Sequence, residues 1–406
     1  MTEHPNKLRQ TETVVGIDDD YCSRCLICPS VCPFDALSTE GDSGQVKLDA
    51  EKCQVCGLCY AACPASAIET VYYNVDPLLK YINTAMGKKR LDKLVLTCRG
   101  ASLLERQTSA GVERTPADDS ILLRLPCVGR VPPELLLRAL SLGIKKITIQ
   151  PCEDKHCRFK DGGTIGTRRF LLVKTLLNQL GFRPDTLTVT KQSIKAHVDA
   201  YRCIGCGNCH YTCAFDAIKM EPPGVAQIDP EACSGCGACA GICPVFAIKL
   251  DGSEYETISQ AIRSYKSLIP MMKQKTEKPV ILVLLCDWSE FSDLDSPKNP
   301  TVENAVFLEL PCAGRVDPLH VLEALYSGFD GVLIAACKKG ECKLEKGNEK
   351  AENCISSLKR LLAQVNLDRK VEICFVSPKN IGDFDQRIRS FAEKMNPLTV
   401  REHFSK

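Results

Sequence analysis

The chain has 406 residues, 44% of them hydrophobic and 25% charged, and its 52 Lys and Arg against 50 Asp and Glu leave a formal net charge of +2. So even a balance makes no electrostatic case for nucleic acid or an anionic membrane surface, and no apolar run approaches the ~20 residues that span a bilayer. All but two of the 26 cysteines fall into six runs with metal-ligand spacing, which argues against a secreted disulfide scaffold. Residues 1–10 hold no apolar segment followed by a small-residue cleavage site. The expectation is a cytoplasmic chain of a reducing, anaerobic cell, with no direct membrane insertion.

In chain order, the first two runs are Cys22/Cys25/Cys28/Cys32 and Cys53/Cys56/Cys59/Cys63, each C-x2-C-x2-C-x3-C. This is the bacterial ferredoxin run, in which the fourth cysteine serves the neighbouring cluster. Crossed ligation would give one [4Fe-4S] cluster to Cys22, Cys25, Cys28 and Cys63, and its partner to Cys53, Cys56, Cys59 and Cys32. The local repeat "CPFDAL" and "CPASAI" reads as a short cysteine-bearing helix running into a strand, with Pro33 and Pro64 turning the chain around the cluster. A zinc site is the competing reading of paired C-x2-C motifs, but zinc ribbons use two short pairs with a spacer, not three cysteines at i, i+3 and i+6 plus a fourth.

Residues 75–92 read as a helical connector, and a segment of different character follows. "KLVLTC" (93–98), "ILLRLPC" (121–127) and "KKITIQPC" (145–152) are short β-rich runs that each end on a cysteine. Between the last two lies a helical stretch, 132–143, entered through proline and closed by glycine. Strand, helix, strand at this length is a parallel βαβ unit. Cys98, Cys127 and Cys152 then line up at the carboxyl ends of parallel strands, where open α/β sheets place their ligands, and Cys157 follows in the same edge loop. Four cysteines hold one [2Fe-2S] or one [4Fe-4S] cluster, and spacing does not choose. The helix start at Pro132 would point partial positive charge at this rim. Arg130 either hydrogen-bonds cluster sulfur, docks a partner carboxylate, or is a solvated loop arginine, and Gly129 permits a tight strand-to-helix turn.

The second half repeats the first. Runs Cys203/Cys206/Cys209/Cys213 and Cys233/Cys236/Cys239/Cys243 answer the first pair, and crossing would group Cys203, Cys206, Cys209 with Cys243 and Cys233, Cys236, Cys239 with Cys213. Pro244 keeps the turn proline, but Ala214 replaces it in the third run. The connector 254–278 precedes "PVILVLLC", "AVFLELPC" and "GVLIAAC", which end on Cys286, Cys312 and Cys337, with Cys342 following; the helical stretch 317–328 starts at Pro318, and Arg315 and Gly314 stand where Arg130 and Gly129 do. The quartets read C-x28-C-x24-C-x4-C and C-x25-C-x24-C-x4-C. The expected architecture is α+β ferredoxin-like domains at 14–74 and 195–252 alternating with small parallel-sheet, flavodoxin-like α/β domains at 90–192 and 278–400, an internal duplication packed into one or two bodies.

Segment 279–400, with "LPCAGRVDP", "GVLIAACKKGECKLEKGN" and "FVSPKN", resembles the delta subunit of methyl-viologen-reducing hydrogenase, the iron–sulfur subunit that joins a hydrogenase to heterodisulfide reductase in methanogens. Segment 93–190 is a more divergent copy, with "DGGTIGTRRFLLVKTLL" in place of the glycine–asparagine before the last helix. The resemblance implies two [2Fe-2S] clusters, on Cys98/Cys127/Cys152/Cys157 and Cys286/Cys312/Cys337/Cys342, beside four [4Fe-4S] clusters. It also implies electron relay to a heterodisulfide-reductase-like flavoprotein from a hydrogenase or formate dehydrogenase. No acid–base pair, activated nucleophile or open metal position marks a substrate site. Two other readings stay open: a catalytic thiol or disulfide reductase at a divergent quartet, and a free-standing polyferredoxin or cluster scaffold.

Cys354, on the amphipathic stretch 348–365, and Cys374, in the strand-like "VEICFV", read as buried small hydrophobes. His156 could replace a ligand and His210 could bond sulfur, yet packing is the simpler role for each. The glycines of "DGG" and Gly166 do not follow a strand as a dinucleotide fingerprint would, and no P-loop occurs.

Overall fold

The computed structural model describes residues 14–41, 44–89, 91–101, 120–222, 224–289, 302–380 and 383–395. These fall into two compact units, one ending at Ser193 and the other starting at Ile194. Each contains both kinds of segment foreseen from the cysteine spacing.

In the first unit two antiparallel ribbons, Val15–Ile17 with Ile68–Thr70 and Leu37–Glu40 with Gln45–Leu48, flank two five-residue helices, Ile27–Val31 and Leu58–Ala62. Helices this short gain little from propagation, and burial of Leu58, Ala61, Ile68 and Val46 supplies the cohesion instead. The connector forms the helix Val75–Lys89. Beyond it, strands Lys93–Cys98, Ile121–Leu125, Lys146–Gln150 and Leu187–Val189 make a wholly parallel sheet. Its spatial order is second, first, third, fourth. The run "LVLTC" is buried at every position, as a strand covered on both faces requires.

The second unit repeats this plan. Ribbons Ala196–Val198 with Ile248–Leu250 and Ile218–Glu221 with Val225–Ile228 enclose a core in which Cys209, Cys233 and Cys239 pack among Ile194, Ala217, Ile218, Ala226 and Leu250. Strands Ile281–Cys286, Ala305–Leu310, Gly331–Cys337 and Val371–Val376 form the equivalent parallel sheet. Its central strand Gly331–Cys337 is buried throughout. Here the fourth strand is followed by the helix Asp383–Lys394, whose Ile388 and Phe391 pack on Ile281, Leu333 and Val376. The fourth strand of the first sheet, short and bounded by polar residues, carried no comparable signal in the sequence.

The crossover helices are Pro133–Ser141, starting one residue after the expected Pro132, and Pro318–Tyr326, starting at the expected proline. Proline at the first turn costs no hydrogen bond and fixes the backbone angle that the helix needs. The second is additionally capped by Asp317, whose carboxylate accepts from the Leu319 N–H at 2.8 Å.

Candidate metal centres

The four C-x2-C-x2-C-x3-C runs share one backbone template. The residues two and four places after the first cysteine are left-handed in every run: Arg24 and Leu26, Val55 and Gly57, Gly205 and Gly207, Gly235 and Gly237. So are the residues three places after the fourth cysteine: Asp35, Ser66, Asp216 and Phe246. A non-glycine residue in this region costs about 1–2 kcal/mol, and such strain persists only where surroundings compensate it. The compensation is visible as N–H groups turned onto sulfur: Val55 to Cys53 Sγ at 3.5 Å, Ala67 to Cys63 Sγ at 3.3 Å and Ala247 to Cys243 Sγ at 3.3 Å. Ala214 does not disturb the template, since Cys213 keeps the extended conformation of Cys32 and Cys63.

Each fourth cysteine lies among the first three cysteines of the other run. Cys22, Cys25, Cys28 and Cys63 line one small cavity with Ile17, Val46 and Ile68, and Cys203, Cys206, Cys209 and Cys243 line its counterpart with Val198, Ala226 and Ile248. Cys56 has Cys59, Cys53 and Cys32 as its charged neighbours, and Cys239 has Cys236, Cys233 and Cys213 among its own. Depth distinguishes the two sets of each pair. Cys25 and Cys206 are exposed, and the Ile27 N–H pulls the Cys25 thiol down. Within that same outer set burial pushes Cys28 up to about 11, and in the other set it pushes both Cys56 and Cys59 up to about 12. Thiols that resist ionisation this strongly become thiolates when a cation compensates them, which is what iron provides.

In the strand-end quartets the sulfurs contact one another. In the second, Cys286 Sγ lies 3.6 Å from Cys337 Sγ. Hydrogen bonds from Cys312 and Cys337 pull Cys286 well down and Cys342 down to about 2, while Cys312 and Cys337 are pushed up by the same contacts. In the first, Cys98 is within hydrogen-bonding reach of both Cys127 and Cys152, and Cys157 completes the set beside Cys152. Backbone donors again face the sulfurs: Val128 to Cys98 at 3.2 Å, Gly129 to Cys127 at 3.3 Å, Gly163 to Cys157 at 3.3 Å and Gly314 to Cys312 at 3.4 Å. Among the described residues no group of three or more His, Cys, Asp or Glu closes around a single ion position. All-sulfur sets ringed by N–H donors suit iron–sulfur ligation, whose potential is tuned by such hydrogen bonds.

Arg130 and Arg315 are not solvated loop residues. Each is 1% exposed and reaches back onto the ferredoxin-type segment of its own unit. Arg130 Nη2 donates to the Tyr72 carbonyl and to Thr70 Oγ1 at 3.4 Å, and the guanidinium lies 5.0 Å from the Tyr73 ring centre. Arg315 Nε donates to the Ser253 carbonyl at 3.1 Å. Their short helical turns, Val128–Arg130 and Ala313–Arg315, pack against Leu58–Ala62 and Ala238–Gly241. Gly129 is glycine because of close approach, not turn geometry: a Cβ there would meet the Gly162 carbonyl at 2.4 Å and Leu58 at 2.6 Å. The "DGG" glycines gain their reason in the same place, since a Cβ on Gly162 would sit 2.9 Å from Cys127 Sγ, and one on Gly347 2.0 Å from Cys312 Sγ. In the second copy Asn348 follows, donating to the Cys337 carbonyl at 3.0 Å.

Cys354 stands seven residues into the helix Gly347–Ala363, where the first copy's Gly162–Gln179 carries Arg169. Arg169 donates to the carbonyls of Gly129 at 2.8 Å and Val131 at 3.3 Å; Cys354 Sγ lies 3.9 Å from the Val316 carbonyl. A half-open groove of about 610 Å³ beside it is lined in part by Cys243, Asp317, Lys350 and Cys354. Cys374 is 5% exposed in the sheet core and its thiol is pushed up to about 12 by burial. His210 bonds the Ile218 carbonyl through Nδ1 at 2.6 Å, and His156 Nε2 lies 3.6 Å from Glu153 Oε2.

Two cysteine-rich ribbon segments, each joined to a parallel sheet that ends in a cysteine quartet, define an iron–sulfur electron-transfer protein related to components of hydrogenase and heterodisulfide reductase. The chain belongs to the methyl-viologen-reducing hydrogenase delta subunit family, whose unit it carries at residues 94–205 and 281–399, together more than half its length. 4Fe-4S dicluster domains match residues 14–99 and 196–250. Among curated proteins it is 36% identical over 209 residues to a ferredoxin/F(420)H(2)-dependent CoB-CoM heterodisulfide reductase subunit of Methanosarcina acetivorans, a match that covers 50% of this chain and 25% of that protein. It is 32% identical over 126 residues to an F420-non-reducing hydrogenase iron-sulfur subunit of Archaeoglobus profundus, covering 28% of this chain and 90% of that protein. The chain thus spans about a quarter of the reductase relative and most of the hydrogenase one. No helix among the described residues is long and apolar enough to cross a membrane.

Proposed function

We propose that the chain is a six-cluster electron wire in a cytoplasmic, anaerobic oxidoreductase complex. In this reading it relays single electrons between a hydrogenase- or formate-dehydrogenase-type module and a heterodisulfide-reductase-like flavoprotein. The four crossed sets hold [4Fe-4S] clusters: Cys22/Cys25/Cys28/Cys63, Cys53/Cys56/Cys59/Cys32, Cys203/Cys206/Cys209/Cys243 and Cys233/Cys236/Cys239/Cys213. The quartets Cys98/Cys127/Cys152/Cys157 and Cys286/Cys312/Cys337/Cys342 hold [2Fe-2S] clusters. The domains run 14–74, 90–192, 195–252 and 278–400, and the strand order of both sheets supports a flavodoxin-like architecture for the second and fourth.

The observation that carries this reading is the continuity from surface to sheet edge inside each unit. One cysteine set has an exposed member, the next has none and includes the buried Cys56 or Cys239, and that second set's helix packs on the turn next to a quartet cysteine. A bound iron–sulfur cluster supplies a one-electron couple that needs no proton or substrate pocket. The chain's own residues do the rest: thiolates anchor, N–H groups bias the charge on sulfur, and apolar walls exclude water. Cys98, Cys127 and Cys152 are at most 2% exposed, which favours relay over thiol reduction at that quartet.

The test is iron and acid-labile sulfide per chain on anaerobically prepared protein, with EPR of the reduced sample and identification of the proteins that co-purify. About 20 iron atoms with both signal types, and a flavoprotein among the companions, are expected. A count near 24, or a chain that purifies alone and turns over a disulfide, would overturn the assignment of cluster type or of role respectively.

A further inference from the structure

Two of the three buried side-chain nitrogens of Arg130 lack a hydrogen-bond partner. Nη2 is held by Tyr72 and Thr70, but Nε and Nη1 make no hydrogen bond within the protein. The guanidinium is wedged against the backbone of Gly57, next to Cys56: a Cβ on Gly57 would lie 2.8 Å from Arg130 Cβ and 3.1 Å from Nε. Gly57 is left-handed as well, so both the conformation and the space require glycine. On the other side, Arg130 is three residues from Cys127, and Leu58 and Cys127 Sγ crowd the same glycine pair, Gly129 and Gly162. Burial disfavours the Arg130 cation, and Tyr73, Cys56, Tyr60 and Cys127 oppose that when they carry negative charge. Arg315 repeats the arrangement: a Cβ on Gly237 would meet Arg315 Cδ at 2.7 Å, Nη1 is without a partner, and Cys239 is among its charged neighbours.

A fully buried, incompletely bonded cation is expensive, and it is retained only where anionic groups offset it. Around Arg130 the neighbours that could do so are Tyr73, Tyr60 and two cysteine sets, one from each kind of segment; around Arg315 they are Asp317, Glu254, Tyr255 and the set of Cys239. We propose that Arg130, and by the same geometry Arg315, is a potential-setting positioning residue: one buried positive charge shared between the deep ferredoxin-type set and the strand-end quartet of its unit. By stabilising added negative charge on both sides, it makes this junction the place within the unit where an arriving electron rests. The two copies differ in strength. Arg315 has the carboxylate of Asp317 beside it, whereas Pro132 occupies that position in the first copy, so the charge of Arg130 is less compensated.

The inference rests on the cysteine sets holding clusters, and one preparation separates the two claims, since iron content reports the clusters and midpoint potentials report the arginine. Arg130→Met and Arg315→Met in the full chain are titrated by EPR under anaerobic conditions. With iron content retained, the expected result is a downward shift of the midpoint potentials of two clusters, larger for Arg130→Met than for Arg315→Met, with the remaining clusters unmoved. Arg130→Lys, which keeps the charge, should restore most of the shift. Full iron with unchanged potentials in Arg130→Met would overturn the proposal. Should Arg130→Met fail to load iron, the lysine variant decides: normal loading with near-native potentials supports a charge role, and failure there as well shows that Arg130 acts by packing alone.

Discussion

Gly347→Ala probes the quartet through one methyl group. Gly347 opens the helix Gly347–Ala363, and its backbone is not left-handed, so alanine brings no conformational penalty. The cost is steric: the new Cβ would stand 2.0 Å from Cys312 Sγ and 3.6 Å from Cys342 Sγ. Ordinary contacts between such atoms are about 3.5–4 Å, so Cys312 or the helix must retreat by roughly 1.5–2 Å. The helix cannot retreat freely, because Asn348 is bonded to the Cys337 and Lys338 carbonyls. Overpacking of this kind costs about 1–3 kcal/mol, and a sulfur displaced that far leaves the ligand shell. If the quartet holds the proposed [2Fe-2S] cluster, anaerobically reconstituted Gly347→Ala should therefore lose about 2 iron atoms per chain and one quartet-type EPR signal. Gly162→Ala, with 2.9 Å to Cys127 Sγ, should show a milder form of the defect in the other quartet. Gly340→Ala is the control: it is left-handed with open space around it, so it should lower thermal stability by about 1 kcal/mol without losing iron. Full iron content and an unaltered spectrum in Gly347→Ala would refute the argument that this helix start and Cys312 are in contact.

Three further outcomes follow from the same geometry. His320, 2% exposed and stacked on Tyr255, is held down to about 4 by burial and by Arg315, with Glu323 and the Tyr255 carbonyl opposing. Its folded value lies below the unfolded one, so nothing is lost above about pH 6.5 and stability falls as pH drops toward 4; at pH 5 the loss is at most about 2 kcal/mol, and His320→Gln should abolish that part of the decrement in urea unfolding. Cys354, pushed up to about 11 by burial, should be alkylated at pH 8 about 100-fold more slowly than an unperturbed thiol, and Cys354→Ser should leave iron content unchanged; loss of iron would make it a ligand. Leu58→Ala removes a fully buried side chain from against Gly129 and Gly162. It should cost about 2–5 kcal/mol and weaken the junction in thermal unfolding, and a change below about 0.5 kcal/mol would contradict the packing.

The cysteine spacings carried the organisation of the chain, because a cluster tolerates few ligand geometries and each leaves its interval in the sequence. The strands ending at Cys98, Cys286 and Cys337 and the helices entered at Pro133 and Pro318 were readable for a related reason, since apolar periodicity and proline chemistry act locally. What the residues could not disclose is anything decided by contact between distant segments. For Arg130 and Arg315 the sequence left a sulfur contact, a docking role and a solvated loop position all open; both are buried, on short helical turns that pack against Leu58–Ala62 and Ala238–Gly241. The glycines at 57, 162 and 347 likewise gave no meaning as a motif; their reason is an approach within 3 Å by a side chain far along the chain. Sequence by itself determines which atoms can ligate and roughly where each strand must end. Which side chains then share a low-dielectric interior, and so feel one another's charge, is a property of the packing alone.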